Sequence, residues 1–206
     1  MKHFLKASLV LLLAGCYPQG PEYVEDTDVV YTTHDEKYTF SDKDTYARPD
    51  KIVMDVKIDN GDTTYEYMPD KFADQIFDKI DDNMTALGYD RIPLNGDTDP
   101  DLLLTPAALS STTYFYSYWY DWWYGCYYGC GWGWYYPPYY TISSYTTGSM
   151  IITLTDPHSA ENSPINRSQT VWVSAGNGLV NYAYDISRVL KSIDQAFKQS
   201  PYLTTK

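Results

Sequence analysis

Residues 69–88 read PDKFADQIFDKIDDNMTALG, and this stretch decides the fold class. Its apolar residues recur every three or four positions with charged residues between them, as in an amphipathic helix. These apolar residues are Phe72, Ile76, Phe77, Ile80, Met84 and Leu87. Pro69 and Asp70 suit a helix start, and Gly88 suits the position after a helix end. Because such a helix buries only one stripe, it needs a sheet to pack on.

The sequence on both sides of this helix predicts that sheet. Alternating or continuous apolar runs of strand length occur at 29–33, 52–58, 63–68, 101–109, 148–156 and 170–175. Asn60-Gly61 is a strong hairpin signal between the second and third of these runs. A second amphipathic helix follows, with Asn181 as a candidate N-cap and Pro201 after its end. Its apolar positions are Tyr182, Ile186, Val189, Leu190, Ile193 and Phe197.

These elements predict an α+β fold, a two-layer sandwich in which a mostly antiparallel sheet carries two helices packed on one face. A long aromatic insert rich in Gly, Tyr and Trp, residues 112–147, separates two of the strands. Pro106 cannot donate a ladder hydrogen bond. The strand at 101–109 is therefore expected to lie at a sheet edge or to break at this proline.

The N-terminus predicts a lipid anchor. Residues 1–15 combine two lysines with a short apolar run, which is typical of a secretory signal peptide and too short to span a membrane. The run ends in Leu-Ala-Gly-Cys, which matches the bacterial lipobox, so Cys16 is predicted to carry fatty-acyl chains such as palmitate. Residues 16–28 then form a lipidated tether, 29–200 a single α+β domain and 201–206 a tail.

The residues after the lipobox bear on location. Tyr17 stands where an aspartate retains enterobacterial lipoproteins in the inner membrane, so the sequence favours the outer membrane. An acidic pair directly after the lipidated cysteine is associated with surface export in some gut bacteria. No such pair follows Cys16 directly. We therefore expect a cell-envelope protein on the outer membrane that faces the periplasm.

Composition narrows the classes of partner. The 206-residue chain has a net charge of −12, so it repels phosphate backbones and nucleic acid is not an expected partner. It also lacks a Lys/Arg cluster that would attract anionic lipid headgroups. Association with a membrane then depends on the N-terminal lipid anchor.

Several phrases of the sequence resemble one family when they are taken in order. They are YTFSDKDTYARPD, NMTALGYDRI, DPDLLLTPAAL, YTTGSMIITLTDP, VWVSA and ISRVLKSIDQAFKQSP. The chain resembles the bacterial lipoprotein family of domain of unknown function 4136 over about Val29 to Ser200. The segment after Asp156 departs from the family pattern, because it is a longer polar loop. The resemblance implies an envelope lipoprotein of Bacteroidota-like type with an α+β domain, and it implies no activity.

The most unusual stretch is residues 114–140, in which 17 of 27 residues are aromatic. One interpretation is structural: the rings cover the sheet face opposite the helices and complete the core. A second is an interaction surface for another envelope protein or for self-association, since Tyr and Trp give large contact areas with a polar tip. A third is stacking on a glycan, or contact with the membrane interface. The candidate surface residues are Trp119, Trp122, Trp123, Trp132, Trp134, Tyr135 and Tyr136.

Two cysteines lie within this stretch. Cys126 and Cys130 are the thiols that remain once Cys16 is lipidated, and an oxidising periplasm favours a disulfide between them. Free thiols are the second interpretation. Three residues separate the cysteines, so they do not form the C-x-x-C pattern of thiol oxidoreductases. Two thiols with no nearby histidine are also too few for structural zinc.

The remaining motifs do not indicate catalysis. Asn95, Asp97, Asp99 and Asp101 alternate as in a calcium loop, but the glycine and glutamate of that loop are missing, so we expect a turn whose side chains bond their own backbone. His34 and His158 are isolated in polar contexts. We therefore expect no catalytic residues, no metal and no cofactor.

The sequence thus favours a non-catalytic structural or interaction module that presents the aromatic segment. The alternative is a module that binds peptidoglycan or another polysaccharide, and an enzyme is the third interpretation.

Overall fold

The structure is a computed structural model that describes residues 29–59, 62–94, 98–109, 148–162, 168–176 and 186–205. Within these ranges there are two α-helices, α1, Asp70–Leu87, and α2, Ile186–Lys198. Its strands are β1 (Val30–His34), β2 (Thr45–Ala47), β3 (Val53–Asp59), β4 (Asp62–Tyr67), β5 (Asp90–Arg91), β6 (Leu102–Leu109), β7 (Ser149–Asp156) and β8 (Gln169–Gly176). Short 3-10 helices follow β7 and α2, at Pro157–Asn162 and Pro201–Leu203.

The eight strands form one open mixed sheet. Its main path runs β1-β8-β7-β6-β2-β5, while β3 pairs with both β4 and the end of β6. The β1-β8-β7-β6 run and the β3-β4 hairpin are antiparallel, and the remaining pairings are parallel. The predicted α+β sandwich with a mostly antiparallel sheet is thereby confirmed, as are the strands predicted along the chain.

Helix α1 begins and ends where its sequence indicates. The apolar stripe is buried, and its residues Ile76, Ile80 and Met84 are fully enclosed. At the C-terminus Gly88 has φ 102°, a left-handed conformation that costs glycine little, and its N–H bonds the Thr85 carbonyl. This C-cap lets the chain reverse direction, and the N–H of Tyr89 donates a hydrogen bond to the Met84 carbonyl.

One face of the sheet and the two helices form the main core. Residues that alternate along the central strands, including Leu104, Leu154 and Trp172, pack in one cluster with the buried stripes of α1 and α2. The indole N–H of Trp172 donates to Ser200 Oγ at 2.9 Å, so the largest buried side chain has a partner for its polar atom. Both helices therefore lie on the same face.

The opposite face, which we call the second face, is also buried. Strand register places its residues opposite one another in rows, because paired residues share a face. The rows contain Ala47, Val53, Leu103, Thr105, Ala107, Ile151, Thr153, Thr155, Val173 and Ala175, and each is 0–4 % exposed. The second face opens at its edges. On β1, Tyr31 is 41 % exposed, and on β4, Tyr67, which pairs with Val53, is 38 % exposed.

The expectation for Pro106 was wrong. Strand β6 is continuous and central, with β7 along one side. On its other side β2 pairs with Leu102 and Leu103, whereas β3 pairs with Ala107. Pro106 therefore lies where β6 exchanges one parallel partner for the other, and an interrupted ladder tolerates a residue without an N–H.

Two short strands, β2 and β5, were not anticipated. Each pairs in parallel, and the pairings of β2 with β5 and β6 join only two residues each. Segments this short carry no detectable periodicity, so tertiary contacts alone define them. The C-terminal residues are also part of the domain: Leu203 is fully buried, and the Thr205 N–H bonds the Leu87 carbonyl at the end of α1.

Candidate functional site

The aromatic insert is attached at the ends of two central strands. Leu109, the last residue of β6, is paired with Ser149, the first residue of β7. Gly148 precedes this pair with φ 87°, a conformation that favours glycine. The chain thus leaves the sheet and returns to it at directly opposed residues, with β8 and β3 as neighbouring strands.

The predicted interaction residues lie outside the described residues. These are Trp119, Trp122, Trp123, Trp132, Trp134, Tyr135 and Tyr136, together with Cys126 and Cys130. The same is true of Cys16, the signal peptide, the tether and the candidate cap Asn181. The structure brings together the strand ends that hold the aromatic segment, and the predictions for the segment itself stay predictions.

A buried carboxylate closes the other end of β7. Asp156 is 6 % exposed, and its Oδ2 accepts a hydrogen bond from the Tyr38 hydroxyl at 2.8 Å and an ion pair from Lys43 at 3.4 Å. Its Oδ1 accepts the backbone N–H groups of His158 and Ser159. Burial, then the charge and hydrogen bond of Asp156, raise the pKa of Tyr38. Oδ1 thus fixes the turn that follows β7, whereas Oδ2 joins the end of β7 to the segment that follows β1.

The polar loop after Asp156 is joined to the next strand. Ser159 Oγ donates to the Asp156 carbonyl and accepts the Gln169 N–H, each at 2.6 Å. The Gln169 side chain in turn donates to the Asp35 carboxylate. These bonds connect the start of this loop to β8 and to the residue that follows β1.

A second carboxylate joins α1 to the sheet. Arg48 contacts Asp81 in a bidentate pair, with Nε to Oδ1 at 2.9 Å and Nη2 to Oδ2 at 2.8 Å. The Tyr46 hydroxyl donates to Oδ1 at 2.7 Å, and the Arg48 guanidinium lies 3.9 Å from the centre of the Phe77 ring. Burial of Asp81 opposes ionisation, but the hydrogen bonds from Arg48 and Tyr46 and the arginine charges outweigh it, and the pKa of Asp81 is lowered.

Asp101, the last residue of the candidate calcium motif, forms a clamp between the starts of β6 and β2. Asn95 and Asp97 lie outside the described residues, but Asp101 accepts three hydrogen bonds at Oδ2, from the N–H groups of Asp44 and Thr45 and from the Thr45 hydroxyl. The expected bonding of Asp101 to its own turn was therefore wrong, because its partners lie 56 or 57 residues away. Within the part of the chain that the structure describes, no cluster of three or more His, Cys, Asp or Glu residues could hold a metal.

Neither histidine belongs to a cluster of potential metal ligands among the described residues. The His34 ring stacks on Tyr202 with 3.7 Å between ring centres, at the junction of β1 with the C-terminal turn. His158 contributes its backbone N–H to Asp156. The polar clusters at Asp156, Asp81 and Asp101 were not identified from the sequence, because each joins residues that are far apart in the chain.

Comparison with known proteins gives a family and a fold. The sequence profile of domain of unknown function 4136 (DUF4136) matches residues 30–202. A crystal structure of a DUF4136 family protein from Bacteroides thetaiotaomicron is 31 % identical with a TM-score of 0.64, and the match covers 87 % of this chain and 98 % of that one.

Two more distant structures also match. The PelC dodecamer from Paraburkholderia phytofirmans is 13 % identical with a TM-score of 0.39, and the match covers 87 % of this chain and 99 % of that one. A DUF330 protein from Xanthomonas campestris is 10 % identical with a TM-score of 0.29, over 85 % and 88 % of the two chains. Similarity at this level carries no argument about function. No curated protein matches the chain.

Proposed function

The chain belongs to the DUF4136 family, whose description assigns no activity, and on that premise we propose that it is a lipid-anchored envelope protein that acts as a non-catalytic interaction module. The aromatic segment at 112–147 is the part that binds. The observation that carries this proposal is the pairing of Leu109 with Ser149, which mounts the segment on two central strands of the sheet.

Attachment of the segment to two paired strands is suited to recognition of a binding partner. Binding residues are commonly carried on connecting segments that a rigid scaffold positions. Strands β6 and β7 pair over seven residues and are flanked by β8 and by parallel partners, so the two attachment points are held together. A segment in which 17 of 27 residues are aromatic can offer a large contact area between these two attachment points.

The described polar clusters support a scaffold role for the domain. The carboxylates of Asp81, Asp101 and Asp156 each accept hydrogen bonds that join separate elements. A general acid or base must be able to reach a substrate proton, whereas these oxygens are engaged with arginine, tyrosine and backbone donors. The arrangement of these carboxylates is therefore suited to stabilising the sandwich, and it supports a structural role for them over a catalytic one.

The membrane attachment is proposed from the lipobox, with Cys16 as the acylated residue and the outer membrane, on its periplasmic side, as the location. Among the described residues, no helix is long and apolar enough to cross a membrane. Metabolic labelling with a palmitate analogue tests the attachment. Cys16→Ser is expected to lose the label and leave the membrane fraction, whereas Cys126→Ser keeps both. Equal labelling of the two variants would exclude Cys16 as the anchor.

The interaction role is tested by crosslinking in intact cells. The full chain is compared with a variant in which a Gly/Ser linker of equal length replaces 112–147, so that β6 and β7 remain joined. A partner, or a second copy of the chain, should be captured by the full chain and lost from the replaced variant. Capture that is equal in both variants would place the interaction elsewhere and reject the proposal.

Single substitutions separate protein contact from glycan contact. Trp122→Ala and Trp134→Ala are introduced into the full chain, and binding to peptidoglycan fragments is measured beside the crosslinking. Loss of captured protein with no glycan affinity in the parent supports the interaction module. Glycan affinity that both substitutions abolish, with no protein captured, would replace this function by the polysaccharide-binding alternative.

A further inference from the structure

Strand β1 lies at an edge of the sheet, and its register shows which of its main-chain groups face outward. The Asp35 N–H donates to the Val171 carbonyl at 3.0 Å, and β1 runs antiparallel to β8. Because alternate residues of an antiparallel pair exchange hydrogen bonds, Thr33 and Tyr31 also bond β8. The residues that instead direct their N–H and C=O groups away from β8 are Val30, Thr32 and His34.

The outward side of β1 is mostly unoccupied in the described part of the chain. Gln199 Nε2 donates to the Val30 carbonyl at 3.0 Å, and a carbonyl oxygen can accept a second hydrogen bond. The outward N–H and C=O groups of Thr32 and His34 have no partner among the described residues. Such a row of main-chain groups is a template for pairing with another strand.

The β1 edge also lacks the charges that oppose pairing between sheet edges. Strand β4 carries Asp62 and Glu66, and β5 consists of Asp90 and Arg91, whereas β1 contains no Asp, Glu, Lys or Arg. The whole chain has a net charge of −12, so two copies repel each other in most orientations. The uncharged β1 edge is therefore a place where two copies can approach closely.

We propose that two copies of the chain associate by antiparallel pairing of their β1 strands. A two-fold axis beside Thr32 places this residue opposite Thr32 of the second copy, and places Val30 opposite His34 of the second copy. All three residues direct their main-chain groups outward, so the two strands complete each other's hydrogen bonds. The interface is self-complementary, as two-fold symmetry requires.

The side chains of this pairing are compatible as well. Tyr31, which is 41 % exposed, lies opposite Thr33 of the second copy on the same face of the joined sheets. An aromatic ring beside a β-branched residue is a favourable cross-strand pair. Pairing of β1 thus covers an exposed ring in addition to the open main-chain groups.

This inference goes beyond the proposed function, because it uses β1 and not the aromatic segment. Self-association through 112–147 would survive a change in β1, whereas pairing of β1 would survive replacement of 112–147 by the Gly/Ser linker. The failure of one proposal is therefore distinguishable from the failure of the other.

Cysteine crosslinking tests the register. In the full chain with its three native cysteines changed to serine, Thr32→Cys is compared with Thr33→Cys under mild oxidation. In the proposed dimer the two Cα atoms at position 32 are about 5.5 Å apart, which suits a disulfide, and those at position 33 are about 8 Å apart, which is too far. We expect at least about tenfold more disulfide-linked dimer from Thr32→Cys. An equal or smaller yield than that of Thr33→Cys, or no dimer from either, would overturn the inference.

Proline substitution tests the main-chain bonds. Thr32→Pro removes an outward N–H and no bond to β8, whereas the matched control Thr33→Pro removes a bond to β8. In sedimentation velocity of the purified full chain, Thr32→Pro should lower the dimer fraction at least about fivefold with little change in thermal unfolding, and Thr33→Pro should lower the melting temperature. A folded Thr32→Pro with the dimer fraction of the parent, or a parent that is monomeric at every concentration, would reject the pairing. The cysteine readout stands even if Thr32→Pro does not fold.

Discussion

Replacement of Asp81 by asparagine should destabilise the domain much more than the loss of an exposed charge does. Asp81 holds Arg48 with two hydrogen bonds and Tyr46 with a third, and the exposed fractions of the Asp81 and Arg48 side chains are 24 % and 9 %. The loss of one partner from a buried pair costs about 3–5 kcal/mol. Asparagine keeps one acceptor and Asp81 is partly solvated, so we expect the free energy of unfolding to fall by about 2–3 kcal/mol.

Urea denaturation at pH 7 measures this loss, with Asp78→Asn on an exposed position of the same helix as the matched control. The control should change the free energy of unfolding by less than about 0.5 kcal/mol. A double-mutant cycle with Arg48→Met should show that the two substitutions are not additive. A loss for Asp81→Asn no larger than that of the control would refute the assignment of Asp81 as a connection between α1 and the sheet.

The same substitution has a defined pH dependence. Because the folded pKa of Asp81 is lowered, its contribution to stability is present above the unfolded value of about 3.9 and is lost as pH falls through the folded pKa. The difference between the parent and Asp81→Asn should therefore be constant from pH 7 to about pH 5 and shrink below about pH 4. A difference that grows on acidification would contradict the sign of this linkage.

Four further substitutions test other contacts. Tyr89→Phe should leave the free energy of unfolding unchanged or raise it by up to about 1 kcal/mol, because the buried Tyr89 hydroxyl has no partner among the described residues. Tyr38→Phe should lower the free energy of unfolding by about 1–2 kcal/mol, because the hydrogen bond to Asp156 is lost. Urea denaturation distinguishes the two variants. Leu203→Ala should lower the free energy of unfolding by about 2–5 kcal/mol, and little change would show that the C-terminal turn is not core. Asp101→Ala should speed amide exchange of Thr45 at least about tenfold, and unchanged protection would contradict the clamp.

Much of the fold could be predicted because its helices and long strands follow from the spacing of apolar residues that are near one another in the chain. The stripe of α1 and the Gly88 end depend on residues that are neighbours in the chain, and both are confirmed. The same holds for β7, whose apolar run appears in the sequence as a strand. The family was also visible in the order of short phrases, and the profile match over residues 30–202 confirms it.

The tertiary structure decided the features that depend on distant residues. Pro106 lies in a central strand because β2 and β3 share one side of β6. Asp101 bonds residues more than fifty positions away, and Asp81 pairs with Arg48 across the layers. The sequence by itself determined the two helices and the longer strands, since helix and strand periods reflect local geometry, whereas the short strands β2 and β5 depend on tertiary contacts. Only tertiary packing determined which carboxylates form hydrogen bonds and ion pairs with distant residues. It also determined that both faces of the sheet are buried, since burial depends on long-range contacts.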